Sequence, residues 1–390
     1  MRSKPISILR NVLVVLFWAI SIASYSQTNT EKQIQSVFDQ LVLAYGNAKS
    51  SPQLIILQNQ SKPIPPAKYY PDPKPTIKVD AHLFTIFRTF GKDSLNALSA
   101  VLSHELAHYY SDHTFCSDYA FALQDQDQKL AKILNGISKQ EKISKETEAD
   151  QKGFFYAAAA GYSPFDVQAL LIEKLYTEYN YPDSLPGYPT KQQRIGIALM
   201  AEEKAKGLYD TFQAGLTFMD EKNYAQAIEA FEEANSYIPF RENYNNMGVA
   251  KALMALELIE PNYLEKQNPD RFLYPLETDN TSRLKKEIVR GVDHEKEKKI
   301  ELLLKSAKSN FQEAIRLDPG YTKSYINLAC VFDLARNYDM AIGTIKELPL
   351  EEQITKDALI VLAIAYFHSN REQKAEEIWS ELEKSEPTYK

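Results

Sequence analysis

The chain has 390 residues, of which 44% are hydrophobic and 25% charged, and its formal net charge is −7. That length predicts two domains rather than one, and the acidic balance argues against nucleic acid as the main partner. With only two cysteines, Cys116 and Cys330, a disulfide framework is excluded. The two could pair in an exported chain or remain as two unpaired, partly buried thiols.

Residues 1–26 read as a cleavable signal peptide. Arg2, Lys4 and Arg10 precede an apolar run from Val12 to Ala23, and Ser24 and Ser26 supply small residues at the expected cleavage positions. An uncleaved anchor is the alternative. No cysteine follows the run, so a lipoprotein anchor is not indicated. No other stretch is long and apolar enough to cross a membrane.

From Gln27 to Lys49, Ile34, Phe38, Leu41, Val42 and Tyr45 recur at helical spacing. Leu54–Leu57 suits a buried strand. Residues 61–75 hold six prolines and are expected to form an extended loop. Thr76–Val79 alternates like a strand, and an edge strand is expected near here. A helix or turn covers 80–91, and a longer helix is expected over 92–112.

That longer helix carries Val101-Leu102-Ser103-His104-Glu105-Leu106-Ala107-His108. A spacing of four puts both imidazoles on one helical face, about 40° apart around the axis. Two imidazoles so placed can share one metal ion, with zinc the usual occupant. Glu105 lies beside the first ligand and is a candidate general base. Glu146, in Lys145-Glu146-Thr147-Glu148-Ala149-Asp150, can complete a His₂Glu site. Asp150, four residues on, can orient a ligating histidine. Glu148 is expected to point elsewhere. His113 is nine residues past His104, so helical geometry places it on the opposite face in a structural role. His82 reads as an isolated histidine.

These residues together resemble the family of HtpX heat-shock proteases and type-I CAAX prenyl proteases. The likeness runs over 81–200: His-Glu-Leu-Ala-His, then His113, then Glu146-x-x-Ala149-Asp150, then the segment from Gly153 to Pro164. The resemblance implies a small α+β gluzincin metallopeptidase domain over 27–204. It implies Zn²⁺ on His104, His108 and Glu146, with Glu105 as base. Soluble exported members suggest a periplasmic location and envelope proteins, misfolded or stalled, as substrates. Three departures are visible. Tyr188, in Tyr188-Pro189, stands where the family has a zinc-proximal histidine. Lys142-Ile143 replaces a Ser-Arg pair, and an Asn-Ala-Phe segment before the zinc helix is missing. Tyr188 or Arg194 is the candidate to stabilise an oxyanion.

Residues 119–144 are expected to form a helix plus a loop. Helices are expected over 145–160 and 164–178. Past residue 205 the pattern changes. Gly215, Ala227, Phe231, Ala234 and Pro239 follow the spacing of a tetratricopeptide repeat. It returns with Ala329, Ala341 and Ile345, then with Ala363, Ala375, Trp379 and Pro387. A fourth copy is split between Tyr244–Leu256, around Gly248, and Ala307, Phe311, Ala314 and Pro319. A polar insert lies between, over 260–298. The fold expected is mainly α, the peptidase domain being followed by a helical solenoid over 205–390 that binds protein segments. His294 and His368 read as isolated surface histidines. A rival reading makes the repeats the main function, a scaffold or chaperone for envelope assembly. Another keeps the zinc but makes it structural.

Overall fold

The structure is a computed structural model, and it describes residues 30–46, 49–58, 64–71, 73–113, 139–184, 189–279 and 296–385. The signal-peptide segment, Tyr188, Cys116, His294 and most of the 119–144 stretch lie outside the described residues. Among the described residues the fold is mainly helical, with one three-stranded sheet. No helix among the described residues is long and apolar enough to cross a membrane. The chain divides into two compact units, 1–45 with 51–205, and 46–50 with 206–390.

The first unit begins with helix α1 (30–45), whose Ile34, Val37, Phe38 and Leu41 are buried. Three strands follow: β1 (Gln53–Leu57), β2 (Ala67–Tyr70) and β3 (Thr76–Asp80). The order is β1-β3-β2, with β1 parallel and β2 antiparallel to β3. Two expectations change here. The proline-rich stretch contains a strand, because Pro66 and Pro71 flank β2 without interrupting it, and β2 sits at an edge, where proline is tolerated. Thr76–Asp80 is the central strand, with Ile77 and Val79 fully buried, so β1 and β2 form the edges.

Helix α2 (His82–Arg88) and a short 3₁₀ turn (Gly91–Asp93) lead into α3 (Ser94–Tyr110). Helix α4 (Lys139–Ala159) crosses α3 closely. A Cβ on Gly153 of α4 would lie 2.9 Å from the His104 backbone nitrogen and 3.0 Å from its Cα. Glycine is therefore what lets the two backbones approach. Helix α5 (Gln168–Glu178) starts after Pro164, four residues later than expected. It packs Ile172 and Tyr176 against Ile195 and Ala198 of α6 (Lys191–Asp220).

In the second unit the helices are the distal part of α6, α7 (Tyr224–Asn235), α8 (Arg241–Leu258), α9 (Tyr263–Gln267), α10 (Lys296–Leu317), α11 (Thr322–Leu334), α12 (Tyr338–Lys346), α13 (Leu350–Gln353), α14 (Lys356–His368) and α15 (Glu372–Ser385). The long ones pack in succession, α7 on α8, α8 on α10, α10 on α11, and so on to α15. Three turns repeat one geometry. Lys222, Arg336 and Asn370 all adopt φ near +60°, and the last two are 34 positions apart. After each, the next backbone N–H returns to a carbonyl of the preceding helix at 2.8 Å: Asn223 to Phe218, Asn337 to Phe332, Arg371 to Tyr366. The small residues serve close packing. A Cβ on Gly215 would sit 2.4 Å from the Phe231 ring, and one on Gly248 would sit 2.6 Å from the Phe311 ring. Residues 248 and 311 thus meet across the insert as 215 and 231 meet without one. Among the described residues Cys330 has no disulfide partner, and it is fully buried.

Candidate metal centre

Helix α3 brings His104 and His108 to one face, with their Nε2 atoms 3.1 Å apart. Glu146, on the facing turn of α4, puts Oε2 3.3 Å from His104 Nε2 and Oε1 3.7 Å from His108 Nε2. One ligand atom from each of the three lies within 4.8 Å of the others. Glu146 is buried, and neither of its carboxylate oxygens has a hydrogen-bond partner among the described residues. Two orphaned anionic oxygens facing two imidazole nitrogens are costly unless a cation satisfies them. The donor set of two nitrogens and a carboxylate fits zinc.

The electrostatics agree with a cation site. Burial alone would raise the Glu146 carboxyl, but His108 and His104 hold it well below the usual carboxylate range. Burial alone would lower His104, yet Asp150 and Glu146 raise it well above the ordinary imidazole value. Burial keeps His108 low. The raised His104 and the lowered Glu146 thus favour opposite charges on the two facing groups.

The ligands are held from behind. His104 Nδ1 lies 2.8 Å from Asp150 Oδ1. Arg194, on α6, donates to both oxygens of Asp150, at 2.6 Å and 2.9 Å. The guanidinium and His104 keep Asp150 ionised against its burial. Arg194 is itself buried, and its two terminal nitrogens are committed to Asp150. Arg194 therefore anchors the carboxylate that orients His104, and it also lines the cleft beside His104 and Glu105.

His113 is a correction. The helix stops at Tyr110, and Asp112 adopts φ 54°, so the chain turns back. His113 N–H then bonds the His108 carbonyl at 3.0 Å, and its Nδ1 lies 2.9 Å from His108 Nδ1. Its Nε2 lies 3.4 Å from Glu148 Oε2, and Lys152 donates to Glu148 Oε1 at 2.6 Å. His113 draws Glu148 down to about 2, with Lys152 contributing. A His108 that offers Nε2 to a metal carries its proton on Nδ1, so His113 Nδ1 accepts and its Nε2–H faces Glu148. Each candidate ligand histidine is therefore backed by its own line of hydrogen bonds or ion pairs ending in a cation. The signal available in the sequence was a histidine just beyond the helix end, paired with an acid on α4.

Glu105 is buried beside His104, and its Oε2 accepts the backbone N–H of Tyr69 at 2.8 Å. Edge strand β2 thus fixes the candidate base. A cleft opens at this point, lined by Ala67, Ala100, Phe154 and Leu171 next to His104 and Glu105. His82 stands apart, 3.6 Å from Glu178. Tyr188 lies outside the described residues.

A tetratricopeptide-repeat family model matches residues 212–240, which span the end of α6 and all of α7. No curated protein matches the chain. A repeat of this kind supports a protein-interaction role for the second unit.

Proposed function

We propose that this chain is an exported zinc-dependent endopeptidase whose repeats recruit protein substrates or envelope partners. The observation that supports it most is the buried His104–His108–Glu146 cluster, with two orphaned carboxylate oxygens and Glu105 beside it at a cleft. A zinc ion held by those three residues would supply Lewis acidity, polarising a peptide carbonyl and acidifying water. Glu105 would take the proton from the attacking water and return it to the leaving amine. The Tyr69 N–H holds the Glu105 carboxylate in place for both transfers. Asp150 and His113 keep the two imidazoles in the tautomer that offers Nε2.

The test is cleavage of an unfolded model protein by the purified chain beside Glu105→Gln. The reading expects cleavage by the native chain and its loss in the variant, with zinc content unchanged. Cleavage that survives Glu105→Gln would refute the assignment of the base. The repeat at 212–240 favours a second reading, a recruiting scaffold. Zinc bound at one equivalent with no cleavage by either protein would support that reading.

A further inference from the structure

We propose that Leu273–Asp279 is a resident occupant of a peptide-binding groove, and that the groove's partner ligand is an extended segment bearing an aromatic residue followed by acidic residues. The proposal deepens only the protein-recruiting half of the function above and does not depend on the zinc site.

The evidence is how this segment is held. It has no regular secondary structure of its own. Its backbone is read by carboxamides instead. Glu277 N–H donates to Asn327 Oδ1 at 3.0 Å, and the Glu277 carbonyl accepts from Asn245 and Asn327, each at 3.0 Å. Two residues on, Asp279 N–H donates to Asn246 Oδ1 at 2.7 Å, and its carbonyl accepts from Asn246 at 2.8 Å. Alternate residues engaging one side is the pattern of an extended chain. Backbone contacts of this kind are indifferent to side-chain identity, so the groove can accept a segment from another chain.

Side chains set the preference. Phe272 packs on Phe367 and Trp379, with centroids 5.1 Å and 5.6 Å away. Arg271 pairs with Glu376 and Glu383 and lies over Trp379. The Tyr274 hydroxyl donates to Asp333 at 2.6 Å. At the other end Lys323 lies 3.0 Å from Glu277 and 3.9 Å from Asp279, and the Tyr321 hydroxyl donates to Asp279. The segment therefore runs from α14 and α15 across α11 to α8, with its aromatic end at one pole and its acidic end at the other.

Asn245, Asn246 and Asn327 are fully buried. Ser324 and Asn327 both donate to Asn245 Oδ1, at 2.9 Å, so the amides are fixed before they meet the segment. Buried amides need partners, and the segment supplies them. A segment tethered to its own groove competes at high effective concentration. An occupant seated 90–99% of the time lowers the apparent affinity for a rival about 10- to 100-fold.

The experiment uses the full chain and a labelled synthetic peptide with the sequence of residues 269–279. Phe272→Ala with Tyr274→Ala loosens the resident segment. The proposal expects the peptide to bind this variant at least about tenfold more tightly than the native chain. Adding Asn245→Ala and Asn327→Ala should abolish that gain. On the native chain, excess peptide should speed hydrogen exchange at the Glu277 and Asp279 amides, a readout that needs no variant to fold. Equal binding to native and loosened chains, binding indifferent to the asparagines, or exchange unmoved by saturating peptide would each overturn it. Zinc content and Glu105-dependent cleavage, measured on the same samples, separate failure of the groove from failure of the peptidase reading.

Discussion

Gly153→Ala is the substitution that bears most directly on how the metal cluster is built. The added Cβ meets only backbone: His104 N at 2.9 Å, His104 Cα at 3.0 Å and the Ser103 carbonyl carbon at 3.1 Å. Backbone cannot rotate away, so α4 must retreat from α3 by a few tenths of an ångström. Glu146 and Asp150 ride on α4, and His104 and His108 ride on α3. Ligand distances in a zinc site are held to about 0.2 Å, so the retreat is comparable to the tolerance. Overpacking costs about 1–3 kcal/mol, against about 1 kcal/mol gained from helix propensity. Gly196→Ala, a helical glycine with nothing within 4 Å of its Cβ position, is the control and keeps the gain without the cost. We expect Gly153→Ala to bind zinc about tenfold or more weakly, since about 1.4 kcal/mol at the site is one decade. A chromogenic-chelator competition titration reads the affinity, and urea unfolding of the metal-free chain reads the stability. Wild-type zinc affinity in Gly153→Ala, with stability equal to that of Gly196→Ala, would refute this account of the helix crossing.

Other outcomes follow from the same geometry. Asp150→Asn removes the charge between His104 and Arg194 and should weaken zinc binding about 10- to 100-fold, as read in the same titration. His368 gives a pH signature in the second unit. Burial alone would lower it, but Asp333, at 2.7 Å, and Glu265, at 3.1 Å, raise it above the ordinary imidazole value. Its folded value exceeds its unfolded one, so its stabilisation is fully present below about pH 6.5. That stabilisation is lost as pH rises through the folded value. Urea midpoints of His368→Gln and the native chain should therefore differ most in mild acid and converge in mild alkali, and a constant difference would contradict the pairing.

Much of the cluster was legible because its geometry is local. His104 and His108 share a helix, and a spacing of four fixes their common face whatever surrounds them. The roles of Arg194 and His113 were not legible, for two different reasons. Arg194 reaches Asp150 from 44 positions away, a distance no periodicity encodes. His113 was placed by extending a helix that ends at Tyr110, and the turn through Asp112 reverses its direction. Strand β2 was hidden by its flanking prolines, which argue against a central strand and are silent about an edge. The central place of β3 depends on β1 arriving parallel from earlier in the chain. In the second half, the small and aromatic residues revealed helix pairing, since Gly215 must admit Phe231. The polar insert gave no such signal, because its order comes from its partners. The signal lies on those partners: Asn245, Asn246 and Asn327 are buried amides on the packed helices. His368 was read as an isolated surface histidine for the same reason, since Glu265 of the insert and Asp333 of α11 hold it.

The most direct test of the central claim is the zinc content of the full chain, measured by atomic emission after dialysis against trace zinc, beside Glu146→Gln. The account predicts one equivalent in the native protein and its loss in the variant, with both proteins folded. No zinc in the native chain, or one equivalent retained by Glu146→Gln, would contradict it.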